Sequence, residues 1–227
     1  MTDFGDYRSK YYRPGLNVIE RPARLYNNGN GGRHIPYPFE FSPTFHRYRL
    51  GEPSRKKKPR TIFVCSMADL FGEWVPDEWI KTVFDACQKA PQHRYLFLTK
   101  NPKRYVELYR NSILPVGDRF WYGATSTEPD MPFYYSRMPD DNPHTFLSIE
   151  PILRPFGNIK EFPEWVIIGA ETGNRKGKIV PKKSWVDEIV KQAHERSVPV
   201  FMKNSLITVM GEKNMLREFP WKDDLDR

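Results

Sequence analysis

The strongest constraint on the fold is a pattern that repeats between residues 61 and 204. Short continuous apolar runs alternate with stretches that suit amphipathic helices. The runs are TIFVCSM (Thr61–Met67), RYLFLTK (Arg94–Lys100), RFWYGATS (Arg119–Ser126), HTFLSIE (His144–Glu150), EWVIIGAE (Glu164–Glu171) and VPVFMKN (Val198–Asn204). Unbroken hydrophobicity over so few residues marks strands buried on both faces, as in parallel sheets covered by helices. Between them, DEWIKTVFDACQKA (Asp77–Ala90) follows Pro76 and sets Ile80, Val83, Phe84 and Cys87 on one helical face. Asn101 and Pro102 read as the N-cap and first position of a second helix, with Tyr105, Leu108 and Tyr109 as its buried stripe. A third helix runs from Ser184 to Arg196. Its Ser184 and Asp187 have capping-box spacing, and Trp185, Ile189 and Ala193 face inward. The pattern predicts one α/β domain over residues 61–227 with about six parallel strands, arranged as an open or closed barrel or as a doubly wound sheet.

The first 60 residues read differently, as an irregular segment packing on that domain. NNGNGG (Asn27–Gly32) is glycine-rich, but no strand is evident before it and no helix after it, so it reads as a turn rather than a phosphate loop. RKKKPR (Arg55–Arg60) reads as a solvated loop ahead of a strand. Its functional alternative is contact with nucleic-acid phosphates through Arg55, Lys56, Lys57, Lys58 and Arg60. Around residues 131–138 the pattern is poor, and the tail from Arg217 to Arg227 reads as loose at its end.

The net charge of +8 favours anionic partners without choosing among them. With only two cysteines, Cys65 on a strand and Cys87 on a helix, the expectation is two buried thiols in a reducing cytosol. No apolar run is long enough to span a bilayer and no secretion signal opens the chain, so a soluble cytoplasmic protein is expected. The five histidines are scattered without metal-ligand spacing, so no metal site is expected. Neither a GxSxG nor a Walker-type motif is present. Phe120, Trp121 and Tyr122 sit within a strand pattern and read as core.

Chemistry is expected where the strands end. Each run closes on polar residues: Ser66 and Asp69, Thr99 and Lys100, Thr125 and Ser126, Ser148 and Glu150, Glu171 and Thr172, Lys203 and Asn204. In a parallel barrel such ends share one face, and in an open sheet they line the crevice beyond the strands. Ser66, Asp69, Lys100, Ser148, Glu150, Glu171, Lys203 and Asn204 are therefore the candidate ligand-binding residues. Glu150 is placed to point into this mouth while Pro151 turns the chain toward the next helix.

SMADLFGEWVPD (Ser66–Asp77), LTKNP, SIEPIL, IIGAETG, VPVFMKNSL and REFPW follow one another between Pro59 and Trp221. In this order they resemble a family of phage and bacterial radical S-adenosylmethionine-like proteins of uncharacterised function. The resemblance implies a partial (β/α) TIM-like barrel. It also implies a [4Fe–4S] cluster held by three cysteines in a loop after the first strand, with S-adenosylmethionine on its open iron. This chain departs from that pattern: no cysteine precedes Arg60. RPARLYNNG (Arg21–Gly29) resembles the tail of the cysteine loop, which sets Arg21 where the last ligand would stand and Val18 and Pro14 near the other two. The cluster is not supported by this sequence.

Two functional expectations result. In one, a radical S-adenosylmethionine-like barrel without its cluster motif binds a small anionic or nucleotide-like ligand at its mouth, with S-adenosylmethionine among the candidates. In the other, a degenerate barrel serves as a non-catalytic nucleic-acid- or protein-binding module.

Overall fold

Among the described residues, six of ten strands join into one all-parallel sheet, and they are the six apolar runs. The computed structural model describes residues 16–27, 30–40, 42–129 and 144–222. In chain order the early elements are β1 (Asn17–Ile19), β2 (Ala23–Asn27), β3 (Asn30–Ile35), β4 (Thr44–His46) and α1 (Glu52–Arg55). The sheet and its connections follow: β5 (Thr61–Val64), α2 (Asp77–Gln88), β6 (Arg94–Thr99), α3 (Lys103–Arg110), β7 (Phe120–Thr125), β8 (His144–Ile149), β9 (Trp165–Ile168), α4 (Lys183–His194), β10 (Val200–Met202) and α5 (Ile207–Met210). The spatial order is the sequence order, β5 to β10, and the sheet curls into a half-barrel. A doubly wound sheet reverses its order at an internal switch point. None occurs here, so the partial barrel is the architecture.

The chain divides into two compact units, residues 1–57 with 78–90, and residues 58–77 with 91–227. The first is less irregular than its sequence suggests. β1 and β4 pair in parallel, and β2 and β3 form an antiparallel hairpin with a bulge between Leu25 and Asn27. A strand therefore does precede the glycine-rich stretch, and its Asn30, Gly31 and Gly32 open β3, while Asn28 and Gly29 lie outside the described residues. Within the same unit Phe45 stacks on Trp79 of α2 at 5.1 Å. Trp79, Ile80, Phe84 and Cys87 form the buried face of that helix, with Val83 half-buried.

In the second unit the two-residue period of each strand separates two faces. Tyr95, Phe97, Tyr122, Leu147, Ile149, Val166, Ile168, Val200 and Met202 lie on the helix-covered face. Many are wholly buried, and each side chain of this size contributes about 2 kcal/mol through burial. Val186, Ile189 and Ala193 of α4 close over its β8–β10 half, with Trp185 partly buried beside them. The helix starts one residue earlier than the spacing predicts. Its N-cap is Lys182 and makes no side-chain cap, while Asp187 pairs with Lys183 instead of capping. α3 likewise begins with Pro102 as N-cap. Asn101 is spent on the loop before it, donating from Nδ2 to the Phe71 carbonyl at 3.0 Å.

No helix joins β8 to β9. Pro151, Pro155 and Pro163 break up this crossover, so Pro151 leads into a loop and not toward a helix. Ile152, Phe156 and Ile159 fill the place of a helix in the core. The tail is anchored as far as it is described. Trp165 Nε1 donates to the Glu218 carbonyl at 3.0 Å, and the Arg94 guanidinium lies 4.0 Å from the centre of the Trp221 ring. Residues 223–227 fall outside the described ones, as does the poorly patterned stretch 131–138. Among the described residues no helix is long and apolar enough to cross a membrane.

Candidate functional site

The inner face of the sheet changes character along the strands. Its lower rows are apolar: Leu96, Trp121, Phe146, Trp165 and Ile167 form a buried cluster, with Leu98, Phe201 and Trp221 packed against it. Gly123 permits this, because Phe146 of the adjacent strand lies across it, with ring carbons only 2.3 Å from where a Cβ would be. Above that layer the same register brings polar groups to the strand exits. Thr125 stands beside Ser148, followed by Glu150 and then Lys203 at the end of β10. Lys100 continues the inner-face period of β6 and is exposed.

Glu150 Oε2 and Lys203 Nζ form an ion pair there. Its geometry has a local cause. A Cβ on Gly169 would come within 2.7 Å of Glu150 Oε1, so only glycine at the exit of β9 lets the carboxylate lie across the strand to reach Lys203. The Lys203 amide donates to the Ile168 carbonyl at 2.8 Å, which fixes the backbone of the lysine. The pair is part-buried: the Glu150 side chain is 24% exposed and that of Lys203 43%. Such a pair keeps both charges available to a ligand that offers an anion to one and a donor to the other.

The remaining predicted residues do not join this row. Asp69 serves the opposite face of the sheet. Its Oδ1 accepts from Thr99 Oγ1 at 2.8 Å and from the Phe71 amide at 3.0 Å, and its Oδ2 accepts from the Lys100 amide at 2.9 Å. This carboxylate is spent on holding the β5 exit loop to the end of β6. Ser66 is exposed in the turn after β5. Cys65 precedes it, also exposed rather than buried, because the chain leaves the strand at a left-handed backbone position with φ of 54°. Asn204 accepts from Arg217, whose guanidinium also reaches the Met202 carbonyl. Arg55, Lys56, Lys57, Lys58 and Arg60 are exposed on the approach to β5.

Glu171 organises the loop leaving β9. Arg175 grips it with two hydrogen bonds, at 2.6 and 2.8 Å. That contact holds the Glu171 carboxyl below the usual carboxylate range. Desolvation opposes it, while the Arg175 charge, the Ile179 amide and the Lys178 charge add to the lowering. Because the folded value is depressed, the contribution is complete above the ordinary glutamate value and is lost as pH falls through the folded one. The Ile179 amide resonance is expected to titrate with a midpoint below the ordinary glutamate value. A midpoint at or above the ordinary value would contradict the contact.

A cleft of about 1080 Å³ opens at the other end of the sheet, bordered by His144, Glu164, His194, Arg196, Glu218 and Phe219. Its carboxylates serve the fold. Glu164 accepts from the Thr145 amide at 3.0 Å and from His144, and Glu218 accepts from the Val200 amide at 2.7 Å and from His194. They cap the starts of β8 and β10, and this is the end of a parallel barrel where stability, not chemistry, resides. The mouth is therefore the better candidate.

Two features of the mouth escape a reading by residue type alone. Gly169 follows a buried strand, the usual sign of a close approach. The second is a run of five cations without an acid, Arg175 to Lys183, on the loop after β9. Among the described residues no three His, Cys, Asp or Glu side chains gather as a metal-binding group.

No curated protein and no solved structure gives a significant match to the chain. Residues 22–213, which include every strand from β2 to β10, match the family described as Protein of unknown function (DUF5131), and the chain belongs to that family.

Proposed function

We propose that this chain binds a small anionic, nucleotide-like ligand at the C-terminal mouth of its half-barrel, on a scaffold related to radical S-adenosylmethionine enzymes. The observation that carries the reading is the Glu150–Lys203 pair, set by Gly169 at the row where the inner face turns polar. Lys203 suits a phosphate or carboxylate, and Lys100 stands on the same face at the exit of β6, four strands away from β10. Glu150 suits ribose hydroxyls or an ammonium group, whereas Ser148 lies on the same face but is buried beneath the exits.

The iron–sulfur cluster of the related enzymes does not fit the residues present. Cluster iron needs soft thiolate ligands. Arg21 is an exposed guanidinium and Val18 a half-buried aliphatic on β1. Pro14 lies outside the described residues. Cys65 and Cys87 belong to different compact units. The proposed role is accordingly binding, and no radical step is assigned to this chain.

Equilibrium titration with S-adenosylmethionine and, separately, with adenosine triphosphate tests the reading. Binding of at least one is expected. Lys203→Met is expected to weaken the anionic ligand by about tenfold or more, the usual loss for a charge-assisted hydrogen bond. Glu150→Gln is expected to retain the fold and alter affinity. No binding by the parent chain, or affinities unchanged in both variants, would remove the proposal.

A further inference from the structure

The loop from Glu171 to Lys183 and the loop after β5 flank the mouth at the same end of the sheet, and together they carry a charge and an aromatic surface that a small ligand does not use. Arg175, Lys176, Lys178, Lys182 and Lys183 fall within nine residues with no acid among them. Glu171 engages Arg175 and Asp187 engages Lys183. Lys178 Nζ donates to the Gly173 carbonyl at 3.3 Å, and its charge also acts on Glu171. Among the described residues Lys176, Lys178 and Lys182 form no salt bridge, whereas Arg175 and Lys183 do. Across the sheet, on the β5 side, Trp74 is 61% exposed and Met67 77%. The Trp74 ring lies over Gly72, where a Cβ would come within 2.7 Å of it. A large ring backed by the chain on one side and open on the other offers a stacking platform.

We propose that this rim binds single-stranded nucleic acid, with Lys176, Lys178 and Lys182 on the phosphates and Trp74 under an unstacked base. The proposal rests on the reading of the mouth as a nucleotide site and extends it: the ligand at Glu150 and Lys203 is one unit of a longer strand. The chemistry follows from two independent features. Lysines outside any salt bridge along a loop neutralise successive phosphates, and their contribution is salt-dependent through counterion release. An exposed tryptophan stacks on any base but requires that base to be free of a duplex. This places polyanion contact on residues 175–183 and not on the Arg55–Arg60 run.

The test is fluorescence anisotropy of the whole chain with a labelled single strand of about 12 deoxythymidines, a length within the site sizes of such grooves. The triple substitution Lys176→Ala, Lys178→Ala, Lys182→Ala is expected to weaken binding at least tenfold. It should also flatten the log–log salt slope by about 2, from three contacts at about 0.7 each. Trp74→Ala is expected to weaken binding at least about fivefold, with Trp74→Phe retaining most of the affinity. A duplex of the same sequence content should bind more weakly than the single strand. Adenosine triphosphate affinity should fall less in the triple variant than in Lys203→Met, which separates failure of the rim from failure of the mouth. Strand affinity and salt slope unaffected by the triple variant would overturn the proposal. So would loss that instead follows Lys56→Ala, Lys57→Ala, Lys58→Ala, or equal affinity for duplex.

Discussion

Gly123→Ala is expected to cost the fold about 3 kcal/mol, the upper end of what one added methyl group does in a packed core. The added Cβ would stand 2.3 Å from two ring carbons of Phe146 and 2.6 Å from a third. Phe146 is fully buried, and its ring contacts Trp165 at 5.8 Å between centroids, so it has no free space to enter. The strain falls in the layer that closes the barrel interior beneath the mouth. Urea unfolding measures the cost. Shrinking the obstacle checks the cause: Phe146→Leu in the Gly123→Ala background should recover more than about 1 kcal/mol relative to the additive expectation. A Gly123→Ala change within about 0.5 kcal/mol of the parent would show that the two strands do not pack as described.

Asp69→Ala is the second large effect, about 3 kcal/mol, and it is expected on stability and not on ligand binding. One carboxylate satisfies two backbone amides and a buried hydroxyl, and removing it leaves Phe71 N–H, Lys100 N–H and Thr99 Oγ1 without that acceptor. Each orphaned donor costs on the order of 1–3 kcal/mol, with less than full additivity because the loop relaxes. Asp69→Asn keeps one acceptor oxygen and should recover part of the loss. Denaturant unfolding gives the stability, and adenosine triphosphate titration of the folded variant gives the affinity. An Asp69→Ala protein of parental stability that no longer binds nucleotide would return Asp69 to the mouth and contradict its assignment to the fold.

The inner strands of the half-barrel were legible because they are largely buried on both faces, whereas β5, an edge strand with Phe63 exposed, was legible from its β-forming residues. Leu147 packs toward α4 while Phe146 packs into the barrel, so neither position on HTFLSIE tolerates a polar residue. The helices were legible from their buried stripes, but their starts were not. Lys182 and Pro102 act as N-caps without a side-chain bond, and no capping signal marks such a start. The β8–β9 crossover lacks a helix because three prolines outweigh the apolar spacing of Ile152, Phe156 and Ile159. Four short strands of the first unit hid in a proline- and glycine-rich sequence, where runs of three to six residues carry little periodic signal.

The candidate site was legible in position and only partly in membership. The polar strand ends named Glu150 and Lys203, and these do meet. Asp69 shares the same polarity and sequence context, yet it bonds Thr99, whose side chain the strand period sends to the opposite face. Residue type at a strand end does not reveal that difference, whereas register does. Gly169 matters through what it lacks, and that became visible only once Glu150 was placed across it.

Hydrogen exchange with and without saturating adenosine triphosphate tests the central assignment most directly, because it reports which end of the sheet a ligand protects. The mouth assignment predicts slowed amides at residues 169–176 and 203–206, with residues 162–164 and 194–199 unchanged. Protection confined to the latter segments, which border the cleft at the strand starts, would move the binding site to the wrong end of the barrel and contradict the account.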